Sequence, residues 1–294
     1  MSDYVVTCCS TADVSEQYLQ SRNVHYVCFN YELGGQQCKD DFGRTNTPAQ
    51  LYSRMLSGEE CRTSQVAIGE YMDFWRPLLA SGHDVLHVSL SSGISGTYES
   101  ACQAQEEIKK EFPERKVEVV DSLQASSGYG LLVDAVADKR DAGMSFDEVV
   151  AWAREARHYV YAWFFSSDLT FFVRGGRISK AAGLLGGMLN ICPIMDVEPD
   201  GSLAVKEKQH GKKKAAARVV DIMAQTAEDG LNYSRKIFIS NSECPKDAAT
   251  VQKLIQSRFH QVKEIDMFAI GATIGVHTGP GTVATFWWGE EPRA

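Results

Sequence analysis

Residues 84–108, DVLHVSLSSGISGTYESACQAQEEI, predict a strand, a turn and a helix in direct succession. The apolar run DVLHVSL is typical of a buried strand, and Ala101 and Ile108 fall on one side of the helix that follows it. The turn is rich in glycine and hydroxyl side chains, and Ser95 or Thr97 is expected to be the N-cap of the helix. A strand that leads straight into a helix is the repeating unit of a parallel sheet covered by helices.

The same alternation continues on both sides of this stretch. Helical segments separate four further predicted strands, at 4–9, 24–33, 116–122 and 159–167. Asp13 with Glu16, and Ser145 with Glu148, have the spacing of helix capping boxes. We therefore expect the first part of the chain to be a parallel α/β domain with helices on both faces of its sheet.

The second part of the chain has a different pattern. Asp200 and Gly201 lie between two strand-like runs and predict a hairpin turn. Residues 262–289 predict a strand, a glycine-proline turn and a second strand. This pattern favours a mixed α/β domain with antiparallel strands. The sequence thus predicts an α/β protein of two domains, residues 1–165 and 166–294.

Composition and charge argue against several classes of function. The chain has 294 residues and a net charge of −8, whereas general nucleic-acid binding needs a basic surface. The eight cysteines form no Cys-x-x-Cys pair, so the sequence indicates neither a zinc site nor a thioredoxin-type site. The sequence has no recognisable signal peptide and no apolar run long enough to span a membrane. A cytoplasmic protein is expected.

The glycine-serine turn is a candidate anion site, because a helix N-terminus presents free N–H groups and a positive dipole end. A nucleotide phosphate is one candidate ligand, although the turn has neither the P-loop nor the dinucleotide-binding pattern. An acyl oxyanion is another, in a serine hydrolase that uses Ser95 and His277, although Thr97 replaces the last glycine of Gly-x-Ser-x-Gly. A carboxylate would need only amides and hydroxyls. A plain helix cap with a tight turn is the fourth interpretation.

Three other stretches place polar side chains at the ends of predicted elements. RTSQ has Thr63 ahead of a helix, RGGRISK has Arg177 after a glycine pair, and HTGPGT has His277 at the end of a predicted strand. Each has a structural explanation, as a helix cap, a solvated charge and a turn histidine respectively. Together they supply a hydroxyl, a guanidinium and an imidazole. This combination suits the binding of a carboxylate that is later phosphorylated.

In combination, these motifs resemble those of the DegV family, fatty-acid-binding proteins that are partners of bacterial fatty acid kinase. The matching stretches occur in family order, with TSQ at 63–65, SSGISGTYESA at 91–101, DS at 121–122, FFVRGGRISK at 171–180 and GATIGVHTGPGT at 271–282. The resemblance implies a two-domain fold that buries the tail of a long-chain fatty acid and holds its carboxylate near the surface. It also implies a lipid-binding subunit, without cofactor or metal, that presents the acid to a separate ATP-binding kinase subunit. Transient membrane contact is compatible with that role.

The same resemblance implies roles for five residues. Thr63, Ser95 and His277 would form the hydrogen-bond network around the carboxylate, and Gly96 would offer a backbone N–H. Arg177 would face the acyl phosphate that forms when the kinase delivers phosphate.

Kinase docking is expected within KEKQHGKKKAA, residues 206–216. His210 takes the position of a family arginine linked to docking, and Lys208 with the neighbouring lysines would add a basic patch. The alternative is a solvated helix start. Residues 181–195 are candidates for lining the tail, with ordinary core packing as the alternative. Two other functions stay open at this point, the serine hydrolase and a lipid-sensing regulator that has no kinase partner.

Overall fold

A parallel sheet organises the first part of the chain. The computed structural model describes residues 4–179 and 190–294. The strands of the parallel sheet are β1 (Tyr4–Cys9), β2 (Val24–Val27), β6 (Asp84–Ser89) and β7 (Val117–Asp121). Their order in the sheet is β2-β1-β6-β7, and every neighbouring pair is parallel.

Two further sheets complete the fold. A six-stranded sheet is built from β8 (Val160–Phe165), β9 (Ile191–Val197), β10 (Leu203–His210), β11 (Ile237–Asn241), β12 (Ile265–Ala269) and β13 (Val283–Trp288). Its order is β10-β9-β8-β13-β11-β12, and only the β11–β12 pair is parallel. A small antiparallel sheet has the order β4-β3-β5 and contains β3 (Asn30–Leu33), β4 (Gln36–Lys39) and β5 (Cys61–Ser64). The predicted mixed α/β class is confirmed.

Helices connect and cover these sheets. Those of the first part are α1 (Glu16–Ser21), α2 (Pro48–Leu56), α3 (Ile68–Ala80), α4 (Thr97–Glu111), α5 (Ser126–Asp141) and α6 (Phe146–Ala156). Those of the second part are α7 (Thr170–Arg174), α8 (Lys212–Thr226), α9 (Pro245–Arg258) and α10 (Ala272–Thr278). Around the parallel sheet, α3 packs on α4 and α5 packs on α6.

Helix α5 joins the parallel and six-stranded sheets into one core. It contacts β1 and β6 on one side and β8, β11 and β13 on the other. Thirteen of its residues are buried, so it has no polar face, as expected of a helix packed between two sheets. The buried Asp134 of α5 is paired with Arg22 and Lys236, and this ion pairing offsets the cost of burying its charge.

Local sequence signals agree with the structure at two places. Ser145 and Glu148 form the expected capping box of α6. Gly201 adopts a left-handed φ of 83° in the β9–β10 turn, which glycine tolerates without a steric penalty. The predicted hairpin is therefore confirmed.

Two predicted strands have different partners from those expected. The run 24–33 is two strands, of which β2 pairs with β1, whereas β3 belongs to the small antiparallel sheet. Strand β8 lies in the six-stranded sheet, antiparallel to β9 and β13, and not in the parallel sheet. An alternation of apolar residues identifies a strand but not its neighbours. The division at 165/166 stays a prediction, and the position of β8 favours a boundary ahead of this strand.

Two predicted helix caps are wrong. Ser15 caps α1 by accepting the N–H of Tyr18, whereas Asp13 has a left-handed φ of 46° and is buried. Helix α4 has Gly96 as its N-cap, and Ser95 Oγ accepts the N–H of Thr97 at 3.2 Å. In both cases the residue expected as the N-cap lies close to the helix start. Tertiary contacts determine which neighbouring residue is the N-cap instead.

Candidate functional site

A cavity lies beyond the carboxyl ends of the parallel strands, where open α/β sheets commonly bind ligands. It encloses about 1000 Å³ of empty space, including its open mouth. Leu90 and Ala125, from the loops after β6 and β7, line one side, and Phe164, Ala284 and Phe286 of the six-stranded sheet line another. Most of the wall is apolar, so the cavity suits a hydrophobic ligand.

Several of the polar side chains that line this cavity are partly exposed. Thr63, Ser95 and His277 are among them, whereas the apolar side chains of Phe29 and Ile270, which also line the cavity, are each 2 % exposed. Thr63 Oγ1 and His277 Nε2 are 2.8 Å apart, although 214 residues separate them in the sequence. The cavity thus has a polar mouth and an apolar interior.

His277 lies in the last turn of helix α10 and not at the end of a strand. The prediction of a strand there is wrong, because two buried carboxylates from distant loops hold the helix start. Asp13 accepts the N–H of Gly271 at 2.9 Å, and the two oxygens of Asp40 accept those of Ala272 and Thr273 at 3.0 and 2.9 Å. These bonds satisfy N–H groups that a helix start leaves free.

Burial sets the protonation of the groups around α10. Burial raises the pKa of Asp13 well above its ordinary value, and the neighbouring Asp40 raises it further. Burial likewise raises the pKa of Asp40. It lowers the pKa of His277 to about 4, with a smaller contribution from the positive charge of Arg177. The imidazole is therefore neutral at pH 7 and can accept or donate a hydrogen bond without adding charge.

The glycine pair of RGGR turns Arg177 towards the cavity. Helix α7 ends in a Schellman motif, in which the N–H of Arg177 bonds to Phe172 O and Gly176 has a φ of 71°. Gly175 has no room for a side chain, because a Cβ there would stand 2.2 Å from Nδ1 of His277. Gly176 is therefore needed for the conformation of the turn, and Gly175 for close packing against His277.

Arg177 carries a positive charge that no carboxylate neutralises among the described residues. Its Nε donates to Ile94 O at 3.2 Å, and its Nη1 donates to Gly175 O. Burial lowers the pKa of its guanidinium, which remains protonated at neutral pH. The mouth thus has one partly buried cation beside neutral donors, an arrangement that attracts an anion.

Hydrogen bonds to neighbouring residues hold the loop of residues 91–96 in place. Ser91 Oγ donates to Gly201 O at 2.9 Å and accepts the N–H of Gly93 at 3.0 Å. Asp121 accepts the N–H of Ser92 at 3.2 Å, which gives a structural role to the DS motif. A Cβ on Gly93 would stand 2.5 Å from the backbone of Gly201, so the β9–β10 turn lies directly against the loop.

All five residues predicted at the head group line this one cavity, namely Thr63, Ser95, Gly96, Arg177 and His277. The TSQ motif predicted a role for Thr63 but none for Gln65. Gln65 also lines the mouth, donates to Ser100 Oγ at 2.6 Å and lies against Gly96, where a Cβ would be 2.4 Å from its Oε1. The available signal was its position two residues after Thr63 in the same motif.

The remaining predicted residues lie elsewhere. Lys208 and His210 are exposed at alternate positions of β10, an edge strand of the six-stranded sheet, and do not line the cavity. Of the suggested tail-lining segment, residues 181–189 lie outside the described residues and 190–195 do not line the cavity. In the described parts of the chain, no group of acidic, histidine or cysteine side chains has the arrangement of a metal site.

Comparison with known proteins identifies the family. The family model described as "Uncharacterised protein, DegV family" matches residues 5–290. The chain belongs to the DegV family. A DegV domain-containing protein of Clostridium perfringens is 30 % identical over 290 residues, covering 99 % of each chain, and one of Lactococcus lactis is 31 % identical, covering 94 % of each.

Solved DegV structures share the fold. A DegV family protein of Ruminococcus gnavus, described with vaccenic acid, is 25 % identical with a TM-score of 0.85, covering 97 % of this chain and 100 % of the other. A Thermus thermophilus DegV protein, described as fatty acid binding, has the same identity and TM-score and covers 97 % and 99 %. The Streptococcus pneumoniae fatty acid kinase B3 protein, loaded with linoleic acid, is 21 % identical with a TM-score of 0.84, covering 98 % and 99 %. No helix in the described part of this DegV protein is both long and apolar enough to span a bilayer.

Proposed function

We propose that this protein binds a long-chain fatty acid, with the tail in the apolar cavity and the carboxylate at the mouth, and presents it to a separate kinase subunit in the cytoplasm. The observation that carries the proposal is the Thr63–His277 pair, which places neutral hydrogen-bonding groups at the open end of an apolar cavity. The carboxylate oxygens would bond to Thr63, Ser95, His277 and the N–H of Gly96. Structures of DegV relatives described with fatty acids support the same ligand class.

The energetics favour a lipid over a small acid. Burying about fifteen methylenes gains on the order of 12 kcal/mol before ordering costs are subtracted. The head-group contacts then supply orientation, because each hydrogen bond to a charged group contributes only about 1.5–3 kcal/mol. A short-chain acid would keep these polar contacts but lose most of the apolar gain.

Native mass spectrometry of the purified protein tests lipid binding directly. Thr63→Val removes the hydroxyl that bonds to His277, and we expect the retained fatty acid to fall at least tenfold. Ser64→Ala is the matched control, because the next residue of β5 is exposed and its hydroxyl faces Asn30 O. Equal retention in Thr63→Val and the wild type would contradict the proposed carboxylate site.

Phosphoryl transfer is proposed to depend on Arg177. Its guanidinium would stabilise the charge of the acyl phosphate, for which a partly buried cation without a carboxylate partner among the described residues is suited. Arg177→Ala should leave lipid binding within a factor of three and lower acyl-phosphate formation by a kinase subunit at least a hundredfold. Arg174→Ala is the control, because Arg174 is exposed and lies over the ring of Phe171. Unchanged acyl-phosphate formation in Arg177→Ala would remove this role.

Kinase docking is proposed on the exposed face of β10. Lys206 is ion-paired with Glu198, and Lys212 with Asp247, whereas Lys208 has no ion pair within the described residues. Lys208→Glu combined with His210→Glu should weaken association with the kinase at least tenfold and leave lipid binding unchanged. Lipid binding without any kinase association in the wild type would favour the lipid-sensing regulator instead.

The hydrolase alternative has less structural support. Nε2 of His277 is paired with Thr63, and Ser95 Oγ accepts the N–H of Thr97. A nucleophilic serine needs an imidazole within hydrogen-bond reach of its own oxygen. Covalent labelling of Ser95 by a fluorophosphonate would restore this alternative.

A further inference from the structure

The cavity extends along helix α10. Thr273, Ile274 and His277 line the cavity along one side of this helix. Ile270 precedes Gly271, the N-cap of α10, so it lies beyond the helix start, whereas His277 is in the last turn of the helix. The side chain of Ile270 is 2 % exposed and lines the cavity together with Phe29. A tail that follows α10 away from the mouth would therefore reach Ile270.

A second cavity begins on the other side of Ile270. It has about 990 Å³ of empty space, including the part that is open to solvent, and Leu51 and Phe42 contribute to its wall. Among the described residues, Ile270 alone lines both cavities. One residue thus lies in the wall of both cavities.

The second cavity is chemically different from the first. Asp13 and Asp40 line it, and both side chains are buried. Their carboxylates are held by N–H groups at the start of α10 and do not move aside without breaking those bonds. An acyl tail that passed Ile270 would lie beside these carboxylates and weaken their solvation, which opposes entry.

The backbone at Ile270 is held on both sides. The N–H of Ile270 donates to Asn241 O at 2.9 Å, and the next N–H, of Gly271, donates to Asp13. The wall is therefore part of the rigid junction between β12 and α10, and its position does not depend on a mobile side chain alone.

We propose that Ile270 is the specificity-determining residue that limits the length of the bound acyl chain, by closing the apolar cavity in front of the second cavity. This inference rests on the proposed fatty-acid function. Shortening the side chain would join the two cavities and admit longer tails. Each additional methylene buried is worth about fourfold in affinity.

Lipid-free protein is mixed with an equimolar series of straight-chain saturated fatty acids of increasing length. Native mass spectrometry then measures the relative affinity for each acid. Ile270→Ala should move the preferred length to longer acids, with a rise of less than about fourfold per added methylene, because Asp13 and Asp40 line the second cavity. Ile270→Val should also move the preferred length to longer acids, but by less. If the alanine variant does not fold, the valine variant still tests whether Ile270 limits the chain length. Ile270→Phe should move the preferred length to shorter acids.

Two controls separate length from volume. Ile274→Ala enlarges the first cavity without opening the second, and it should lower overall affinity while leaving the preferred length unchanged. Leu51→Ala enlarges only the second cavity and should leave the whole profile unchanged. An unchanged profile in the Ile270 variants, or the same shift in Ile274→Ala, overturns the role of Ile270. Failure of the wild type to bind acids of any length would instead overturn the proposed function.

Discussion

The neutral state of His277 makes a quantitative prediction about stability and pH. Burial lowers the pKa of His277 from 6.5 to about 4 in the folded protein, and unfolding returns the ring to water. Between these two pH values the unfolded chain binds a proton that the folded protein excludes. Stability from this group is therefore complete above pH 6.5 and falls as the pH is lowered towards 4.

The expected magnitude follows from this interval. Each pH unit below 6.5 costs about 1.4 kcal/mol, so the loss is about 2 kcal/mol at pH 5 and about 3 kcal/mol at pH 4. His87 is also buried, with its pKa lowered to about 3, and it adds a similar dependence. Because a comparison of the wild type with His277→Gln cancels the contribution of His87, the difference between the two proteins isolates His277.

Urea denaturation of the lipid-free proteins at pH 7 and pH 5 measures this difference. The free energy of unfolding of the wild type should fall by about 2 kcal/mol more than that of His277→Gln. His260→Gln is the control and should follow the wild type, since the side chain of His260 is in water before and after unfolding. Parallel pH dependences for the wild type and His277→Gln would refute the assignment of a buried, neutral imidazole.

Three other substitutions test the packing around the site. Gly175→Ala places a Cβ 2.2 Å from Nδ1 of His277, so we expect at least a tenfold loss of fatty-acid affinity in a fluorescence titration. Asp40→Asn removes a buried charged acceptor from the start of α10 and should destabilise the protein by about 2–4 kcal/mol in urea denaturation. Gly93→Ala forces the 91–96 loop away from the β9–β10 turn and should lower the melting temperature by several degrees, whereas Gly69→Ala, with open space around it, should not.

Local chemistry made part of the fold predictable. The strand, turn and helix of residues 84–108 follow from short-range periodicity and glycine content, and they appear in the structure as β6 and α4. The hairpin at Gly201 and the capping box at Ser145 are likewise encoded within a few residues. Motif chemistry also selected Thr63, Arg177 and His277, because hydroxyl, guanidinium and imidazole groups beside glycine turns indicate anion binding.

Helix α10 shows where local reasoning fails. Its sequence, ATIGVHT, contains a glycine and β-branched residues, which disfavour a helix in isolation. The helix forms because Asp13 and Asp40, more than 200 residues earlier in the chain, accept its first N–H groups. No sequence pattern within residues 272–278 indicates that Asp13 and Asp40 will bind there.

The sequence by itself determined the chemical character of this protein: an acidic α/β chain whose glycine turns carry hydroxyls, an imidazole and a guanidinium. Only the tertiary structure decided that Thr63 meets His277, that these groups open onto an apolar cavity, and that Ile270 lies in the walls of two cavities. Helix and strand propensities, helix caps and turn preferences act over a few residues and leave a local signal. The shape of a cavity depends on which distant surfaces pack together, and that is settled only when the whole chain has folded.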